Sequence, residues 1–243
     1  MILITGAAGG VARLLDLPGP IRRTDRVPHP DHPGIVTGDL ADAGFCREVV
    51  RGADAIVHLA GQADPQTPWP GLRSPNADVV VNVLDAAVAA GVPRVLLASS
   101  LHAVAGHLDA GRTFVTEDMP PHACCPYGAT KVLVEQLGRC YADIWGLTVV
   151  CLRLGGVRDR PLGRSWRGGW LSPGDLNRFV AAALAADLQF GTFHGVSANT
   201  PQVYAHALPG YAPRDDSAAF TDLPDDLTGP PATHPKWGIA HRS

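Results

Sequence analysis

The sequence has little lysine, few aromatic residues, no excess of positive charge and no long apolar run. Lys131 and Lys236 are the only lysines among 20 basic residues, and aromatic side chains make up 6% of the 243 residues. The formal net charge of −3 lacks the concentrated basic surface that nucleic-acid binding requires. No apolar run approaches the roughly 20 residues of a membrane-spanning helix. We therefore expect neither a nucleic-acid partner nor a membrane partner.

The spacing of the cysteines indicates neither a disulfide framework nor a zinc motif. Their number is odd, and they are Cys46, Cys124, Cys125, Cys140 and Cys151. This usage predicts a reduced, cytoplasmic protein that holds no metal. The apolar run Ile2–Ile4 starts at once, so we expect no signal peptide before the first strand. The hydrophobic content of 46% excludes a disordered chain, and 243 residues suit one large domain.

Short apolar segments alternate with helical segments through about the first 150 residues. Strands are predicted over Ile2–Thr5, Ile21–Thr24, Ile35–Thr37, Ala55–Leu59, Val95–Ala98 and Leu147–Leu152. Helices are predicted over Val11–Leu17, Cys46–Arg51 (the end of a short helix), Ala77–Ala90 and Tyr127–Trp145. Continuous apolar strands in this order are typical of a parallel sheet that helices cover on both faces. The predicted fold is α/β, with a Rossmann-type doubly wound parallel sheet.

The last third of the chain is less regular. A helix over Pro173–Asp187 with Ser172 as its N-cap, and a strand over Thr192–Val196, are its predicted elements. Residues 154–222 are expected to form a small C-terminal substrate lobe, so that 1–222 make a single domain. Residues 223–243 are dense in Pro, Asp and Gly, which predicts a flexible tail.

A glycine-rich turn follows the first strand and opens a helix. Its candidate cofactor-binding residues are Gly6, Gly9, Gly10 and Val11. Glycine allows the backbone to turn tightly and approach a pyrophosphate, and the helix N-terminus supplies free N–H groups. Many strand–helix turns also need glycine without binding a nucleotide, so this motif alone leaves both interpretations open.

An acidic residue stands at the end of the second strand, where dinucleotide-binding folds recognise the ribose. Asp25 follows Gly6 by 19 residues, and its carboxylate is placed to accept hydrogen bonds from both ribose hydroxyls of NAD. Three arginines surround it, at positions 22, 23 and 26, which leaves NADP open. Asp39 and Leu40, after the third strand, are candidates to border the adenine, and Asp39 could equally be a turn residue.

Tyr127 and Lys131 are four residues apart, which places both side chains on one face of a helix. A cation beside a phenol favours the phenolate, so Lys131 is expected to lower the pKa of Tyr127 and make it a usable base. Ser100, at the carboxyl end of a strand, could hydrogen-bond the same reacting oxygen. His102 is either a substrate contact or a packed histidine.

Together these residues resemble the extended short-chain dehydrogenase/reductase superfamily. Its signature combines a TGxxGxxG loop, a serine and a YxxxK pair, and here Ala12 replaces the third glycine of the loop. Within the superfamily, the chain is most similar to the uronate dehydrogenase group. The segments that carry this likeness are Gly38–Asp42, Ile56–Gly61, Ser99-Ser100 with His102, Tyr127–Lys131, Trp170–Ser172 and Gly195–Asn199.

The resemblance implies NAD-dependent oxidation of a sugar acid at its anomeric carbon, giving a lactone. It implies a homodimer that pairs through the two long helices. The implied catalytic residues are Ser100, Tyr127 and Lys131, and the implied cofactor contacts include Leu59, Ala60, Gly61, Tyr127 and Lys131. The group's carboxylate-binding arginine lies shortly before Trp170. Arg164 and Arg167 bracket that place and are the candidates for it, beside Ser100 and His102 as substrate contacts.

Three positions depart from the uronate dehydrogenase pattern. Leu101 replaces an asparagine, Ala63 replaces a polar residue, and Gly10 stands where the group has glutamine. A pocket that hydrogen-bonds a polyol discriminates against molecules without those hydroxyls, so losing these groups predicts a less polar small-molecule substrate.

The sequence is compatible with three functions. The first is an NAD-dependent dehydrogenase or reductase with a Ser-Tyr-Lys site. The alternative is a redox-neutral epimerase, isomerase or lyase that holds NAD tightly on the same scaffold. The third is a nucleotide-binding module without catalysis, which the presence of both Tyr127 and Lys131 disfavours.

Overall fold

The computed structural model describes residues 1–30 and 32–225. A seven-stranded parallel sheet forms its centre, with the spatial order β3-β2-β1-β4-β5-β6-β9. The strands of this sheet are β1 Ile2–Thr5, β2 Ile21–Asp25, β3 Ile35–Thr37, β4 Ala55–His58, β5 Arg94–Ser100, β6 Thr148–Leu154 and β9 Phe190–Gly195. The strand order reverses direction between β1 and β4, which is the switch point where doubly wound sheets bind ligands. The Rossmann-type prediction is confirmed.

Helices cover both faces of the sheet. They are α1 Gly10–Arg13, α2 Ala43–Val50, α3 Trp69–Arg73, α4 Val79–Ala90, α5 Gly106–Asp109, α6 Pro126–Trp145 and α7 Pro173–Ala185. One apolar core packs α2, α4 and α6 against one face, and a second packs α7 and the residues after α1 against the other. Burial on both faces explains why β4 and the centre of β5 read as continuous apolar runs.

The first helix is shorter than predicted. It ends at Arg13, whereas the sequence pattern predicted a helix as far as Leu17. Asn177 on α7 explains the early end, because its side chain bonds the carbonyl of Leu14 at 2.8 Å and the N–H of Asp16 at 2.7 Å. These two bonds replace the intrahelical bonds that another turn would have made.

Irregular segments connect the remaining elements. A π-helix, Ser74–Asp78, joins α3 to α4, and 3-10 turns occupy Leu101–Ala103, Arg164–Gly169 and Ser217–Ala219. The strands β7 Gly156–Val157 and β8 Trp170–Leu171 form a small second sheet beside the carboxyl end of β6. Ser172 caps α7 by accepting a hydrogen bond from the N–H of Asp175, as predicted.

The end of the described chain is packed against the molecule. Leu223 is buried, and its carbonyl accepts a hydrogen bond from Nε of Arg164 at 3.4 Å. The rest of the predicted flexible tail, from residue 226 onward, lies outside the described residues. A search of residues 1–30 and 32–225 finds no helix with the length and apolarity needed to cross a bilayer.

Candidate active site

Two neighbouring cavities open at the carboxyl ends of the parallel strands. The cavity beside β1 and β2 is lined by Gly6, Gly9, Asp25 and Asp39, among others. The larger cavity, of about 460 Å³, lies over β5 and β6 and is lined by Ser100, His102, Tyr127 and Lys131, among others. Leu59 and Gly61 line both cavities, so the two are contiguous. A long ligand could therefore reach from Asp25 to Tyr127.

The glycine turn brings two loops into close contact at the first cavity. Gly6 has φ of +67°, and a Cβ there would lie 2.6 Å from the backbone nitrogen of Ala60. A side chain would be excluded by both the backbone conformation and this contact. The structure thus places Gly6 and Gly9 in the same cavity as Leu59, Ala60 and Gly61. Gly10 does not line this cavity in the described structure, and Val11 lines the larger one.

The carboxylate of Asp25 is held at the end of β2 by backbone N–H groups. Its Oδ2 accepts a hydrogen bond from Ala8 at 2.9 Å, and its Oδ1 accepts one from Val27 at 3.2 Å. Arg26 lines the same cavity, whereas Arg22 is turned away and donates to the carbonyls of Val49 and Arg51. A fixed carboxylate, a loop without side-chain bulk and the apolar Leu40 fit a dinucleotide such as NAD.

Ser100 and Tyr127 meet at the larger cavity. Ser100 is the last residue of β5, and Tyr127 lies in the first turn of α6. Gly128 makes the approach possible, because a Cβ at that position would lie 2.2 Å from the carbonyl oxygen of His102. The side chain of Ser100 is near enough to the Tyr127 hydroxyl to lower the pKa of the phenol by hydrogen bonding.

Burial dominates the charge state of the pair on α6. It raises the pKa of Tyr127 to about 12, more than the Ser100 hydrogen bond lowers it. Burial also lowers the pKa of Lys131 to about 8, against the effect of Glu135, which raises it. The ammonium of Lys131 donates to the carbonyl of Ala98 at 3.0 Å and lies 5.7 Å from the Tyr127 ring centroid. The expected lowering of the Tyr127 pKa by Lys131 is not seen in this structure, where burial raises the pKa of the phenol and Ser100 is the group that lowers it.

A buried ion pair supports the site from beneath. Arg153 on β6 binds both carboxylate oxygens of Glu135 on α6 at 2.8 Å, and Ser99 on β5 donates to the same carboxylate at 2.6 Å. All three residues are buried. They fix α6 one turn after Lys131 against the two strands that end at the cavity. Sequence reasoning missed this triad, since nothing in the spacing of Glu135 and Arg153 shows that helix and strand meet there.

Much of the wall of the larger cavity is apolar. Leu101, Ala105, Leu108, Val203 and Trp166 line it, and Leu101 is also part of a small buried core with Val104, Val115, Val196 and Tyr204. Ala63 lines the cavity as well. The structure thus places two of the three positions that depart from the uronate dehydrogenase pattern at the cavity itself.

The two candidate arginines do not reach this cavity. Arg167 donates to the carbonyl of Phe220 at 2.6 Å, and Arg164 pairs with Asp225 at 3.2 Å. Within residues 1–30 and 32–225, Arg158 is the arginine that lines the cavity, at its exposed rim. A signal for it was present, because Arg158 comes soon after β6 and the carboxyl ends of parallel strands bear ligand-binding groups.

A family model, "NAD dependent epimerase/dehydratase family", matches residues 2–157, which contain the glycine turn of the first cavity and the Tyr-Lys pair of the second. The chain belongs to this family. Sequence comparison over nearly the whole chain gives the same result. An NAD-dependent glucose-6-phosphate dehydrogenase from Haloferax volcanii is 31% identical, with 90% of this chain and 95% of the relative covered.

The relatives of this chain also include uronate dehydrogenases. That of Pseudomonas syringae pv. tomato is 30% identical, with 90% of this chain and 83% of the relative covered. The crystal structure of a mutant uronate dehydrogenase from Agrobacterium tumefaciens complexed with NAD has a TM-score of 0.81 and 27% identity, covering 93% and 92% of the two chains. The predicted likeness to the uronate dehydrogenase group is confirmed. So is the predicted class, an NAD-dependent oxidoreductase, over the redox-neutral alternative.

Proposed function

We propose that the protein oxidises a hydroxyl-bearing carbon of a small, sparingly hydroxylated sugar or sugar acid, with Tyr127 as the base. The observation that carries the proposal is the meeting of Ser100, Tyr127 and Lys131 at the wall of one cavity that continues into a second beside Asp25. The chemistry needs a proton acceptor, a group that orients the reacting oxygen and a place for the cofactor, and this arrangement offers all three.

Each catalytic side chain has one task. Tyr127 accepts the proton of the substrate hydroxyl as its phenolate, and Ser100 donates a hydrogen bond that holds the reacting oxygen beside it. Lys131, one helical turn away, stabilises the phenolate by its charge and holds the cofactor ribose. When bound, NAD supplies the hydride acceptor. Its contacts are assigned to Gly6, Gly9, Gly10, Val11, Asp25, Asp39, Leu40, Leu59, Ala60, Gly61, Tyr127 and Lys131.

The cavity wall argues for a substrate with few hydroxyl groups. Leu101 and Ala63 present no hydrogen-bonding group where the uronate dehydrogenase pattern has polar residues, so an extra hydroxyl there would lose its water without gaining a partner. Ser100 and His102 remain the assigned polar contacts. Arg158 replaces Arg164 and Arg167 as the group assigned to an anionic substituent, because the latter two are bonded to the segment 220–225.

The test is a spectrophotometric panel with NAD and NADP against uronates, neutral aldoses, deoxy sugars and apolar secondary alcohols. We expect NAD turnover with a kcat/KM for a deoxy sugar at least about tenfold above that for a fully hydroxylated aldose or uronate, the worth of one misplaced polar group. A uronate preferred over all other compounds would overturn the substrate assignment. NAD binding without any turnover would overturn the oxidation itself.

The proposed oligomeric state and cellular location rest on two further features. Exposed apolar side chains on α6, namely Leu133, Ile144 and Trp145, support a homodimer that pairs through this helix. All five cysteines are free thiols in the structure, which supports a reducing, cytoplasmic location. Sedimentation equilibrium at the mass of a single chain would contradict the dimer.

A further inference from the structure

Three metal-ligating side chains meet between the 3-10 turn after β5 and the start of α6. They are His102, Cys124 and Cys125, and their ligating atoms all lie within 4.8 Å of one another. Sequence spacing did not reveal this cluster, because His102 precedes the two cysteines by more than twenty residues. We propose that His102, Cys124 and Cys125 form a binding site for a thiolate-preferring divalent cation of the Zn²⁺ type.

The distances between the three atoms fit a single tetrahedral ion. Nδ1 of His102 lies 3.4 Å from Sγ of Cys124 and 3.5 Å from Sγ of Cys125, and the two sulfurs are 3.9 Å apart. Zinc bonds of about 2.3 Å to sulfur and about 2.0–2.1 Å to nitrogen, at tetrahedral angles, separate two sulfurs by about 3.8 Å and a sulfur from a nitrogen by about 3.6 Å. The three observed separations therefore match three corners of a tetrahedral coordination sphere.

The backbone around the cluster is held in place before any ion binds. The N–H of Cys124 donates to the carbonyl of His102 at 3.2 Å, and Sγ of Cys125 accepts the N–H of Gly128 at 3.3 Å as the N-cap of α6. Cys124 is partly exposed, which gives an ion a route from solvent, while Cys125 is buried. Three protein ligands leave a fourth position for water, as in zinc sites that are not purely structural.

The donor types also suit a cation of this kind. Zinc binds cysteine as the thiolate and histidine as the neutral imidazole, so binding would release the thiol protons that the site still holds. An ion on Nδ1 would place the imidazole proton of His102 on Nε2, in a residue that lines the substrate cavity. It would also link His102 to the helix that begins with Pro126 and Tyr127.

The proposal is tested on the full chain, freed of metal with a chelator and kept reduced with a non-thiol reductant. Co²⁺ and Zn²⁺ are titrated against a chromophoric chelator. We expect one ion per chain, intense visible absorption of tetrahedral Co²⁺ with a sulfur-to-metal charge-transfer band, and no competition from Mg²⁺, which prefers oxygen ligands. A bound ion should also raise the urea midpoint of unfolding, because it binds the folded chain.

The informative variant is Cys124→Ser, because Cys124 does not cap α6 and its loss should leave the fold intact. Its Zn²⁺ affinity should fall by more than the roughly 10–100-fold lost when only a group supporting a ligand is removed. Cys140→Ser, at an exposed cysteine of α6, is the matched control and should bind like the parent chain. Equal affinity in the two variants, or a Co²⁺ spectrum without the sulfur band, would overturn the site. Neither readout depends on turnover, so the outcome is independent of the proposed oxidation.

Discussion

At the scale of single residues, the proposed catalysis depends on side chains whose surroundings oppose the charge state that it needs. Tyr127 is buried with its pKa raised to about 12, and Lys131 is buried with its pKa lowered to about 8. In water, the pKa of each side chain would lie closer to its ordinary value. Their closeness on α6 is what allows one buried charge to stabilise the other when the phenol ionises.

The base assignment predicts a clean separation of chemistry from binding. Tyr127→Phe removes the proton acceptor but keeps the ring that packs in an edge-to-face contact with His102, centroids 5.5 Å apart. We expect kcat to fall by about 10²–10⁴-fold, the usual contribution of a positioned acid or base, with NAD affinity nearly unchanged. Tyr141→Phe, on the same helix but bonded to Asp85, is the control for stopped-flow turnover and fluorescence titration. Retained turnover in the Tyr127 variant would refute its role.

At the scale of elements, α6 is fixed to the sheet by the Glu135–Arg153 pair. Both side chains are buried, so removing one leaves an uncompensated charge in the core. The same helix carries an exposed pair, Arg139 with Asp143 at 2.7 Å, in which both side chains are more than half exposed. Each pair has its carboxylate on α6, so the two permit a matched comparison of buried and exposed charge.

We expect Glu135→Gln to lower the free energy of unfolding by about 3–5 kcal/mol, the cost typical of breaking a buried pair. Asp143→Asn should change it by about 0–1 kcal/mol, because solvent screens an exposed pair. Urea unfolding followed by circular dichroism measures both. Similar losses in the two variants would mean that Arg153 finds another partner, such as His194, which lies 3.5 Å from it.

Element positions were more predictable than element ends or contacts. The strands were readable because parallel sheets bury both faces, so Ala55–His58 and Val95–Leu97 carry no polar alternation except at the ends. The length of α1 could not be predicted, because Leu14, Leu15 and Leu17 continue the helical pattern. The helix ends where Asn177, far along the chain, binds the backbone of Leu14 and Asp16. The Tyr-Lys pair is a local signal, whereas the triad of Ser99, Glu135 and Arg153 and the cluster around His102 depend on tertiary approach.

At the scale of the whole molecule, two buried histidines are held neutral by the core. Burial, with Lys131, lowers the pKa of His58 to about 3, and burial, with Arg153, lowers that of His194 to about 3. Unfolding returns each to an ordinary pKa of about 6.5. The unfolded chain therefore binds more protons below that pH, and stability falls as the pH drops from about 6.5 toward 3.

Each histidine should cost about 1.4 kcal/mol of unfolding free energy per pH unit in that range, so about 2 kcal/mol each between pH 6.5 and 5. His58→Asn, which keeps a hydrogen-bonding group near Thr5, should remove about half of the histidine-dependent slope. Urea unfolding at several pH values measures it, and an unaltered slope in the His58 variant would contradict this account.

The outer strand β3 has a consequence for how these molecules meet one another. It contributes three residues, Ile35–Thr37, and is paired on one side with β2. Pro28, Pro30 and Pro33 precede it and lack the N–H groups that a longer strand would need. A neighbouring chain that added a strand at this edge would gain at most a few backbone hydrogen bonds. The short strand therefore disfavours edge-to-edge aggregation there without the charged side chains that often protect an edge strand.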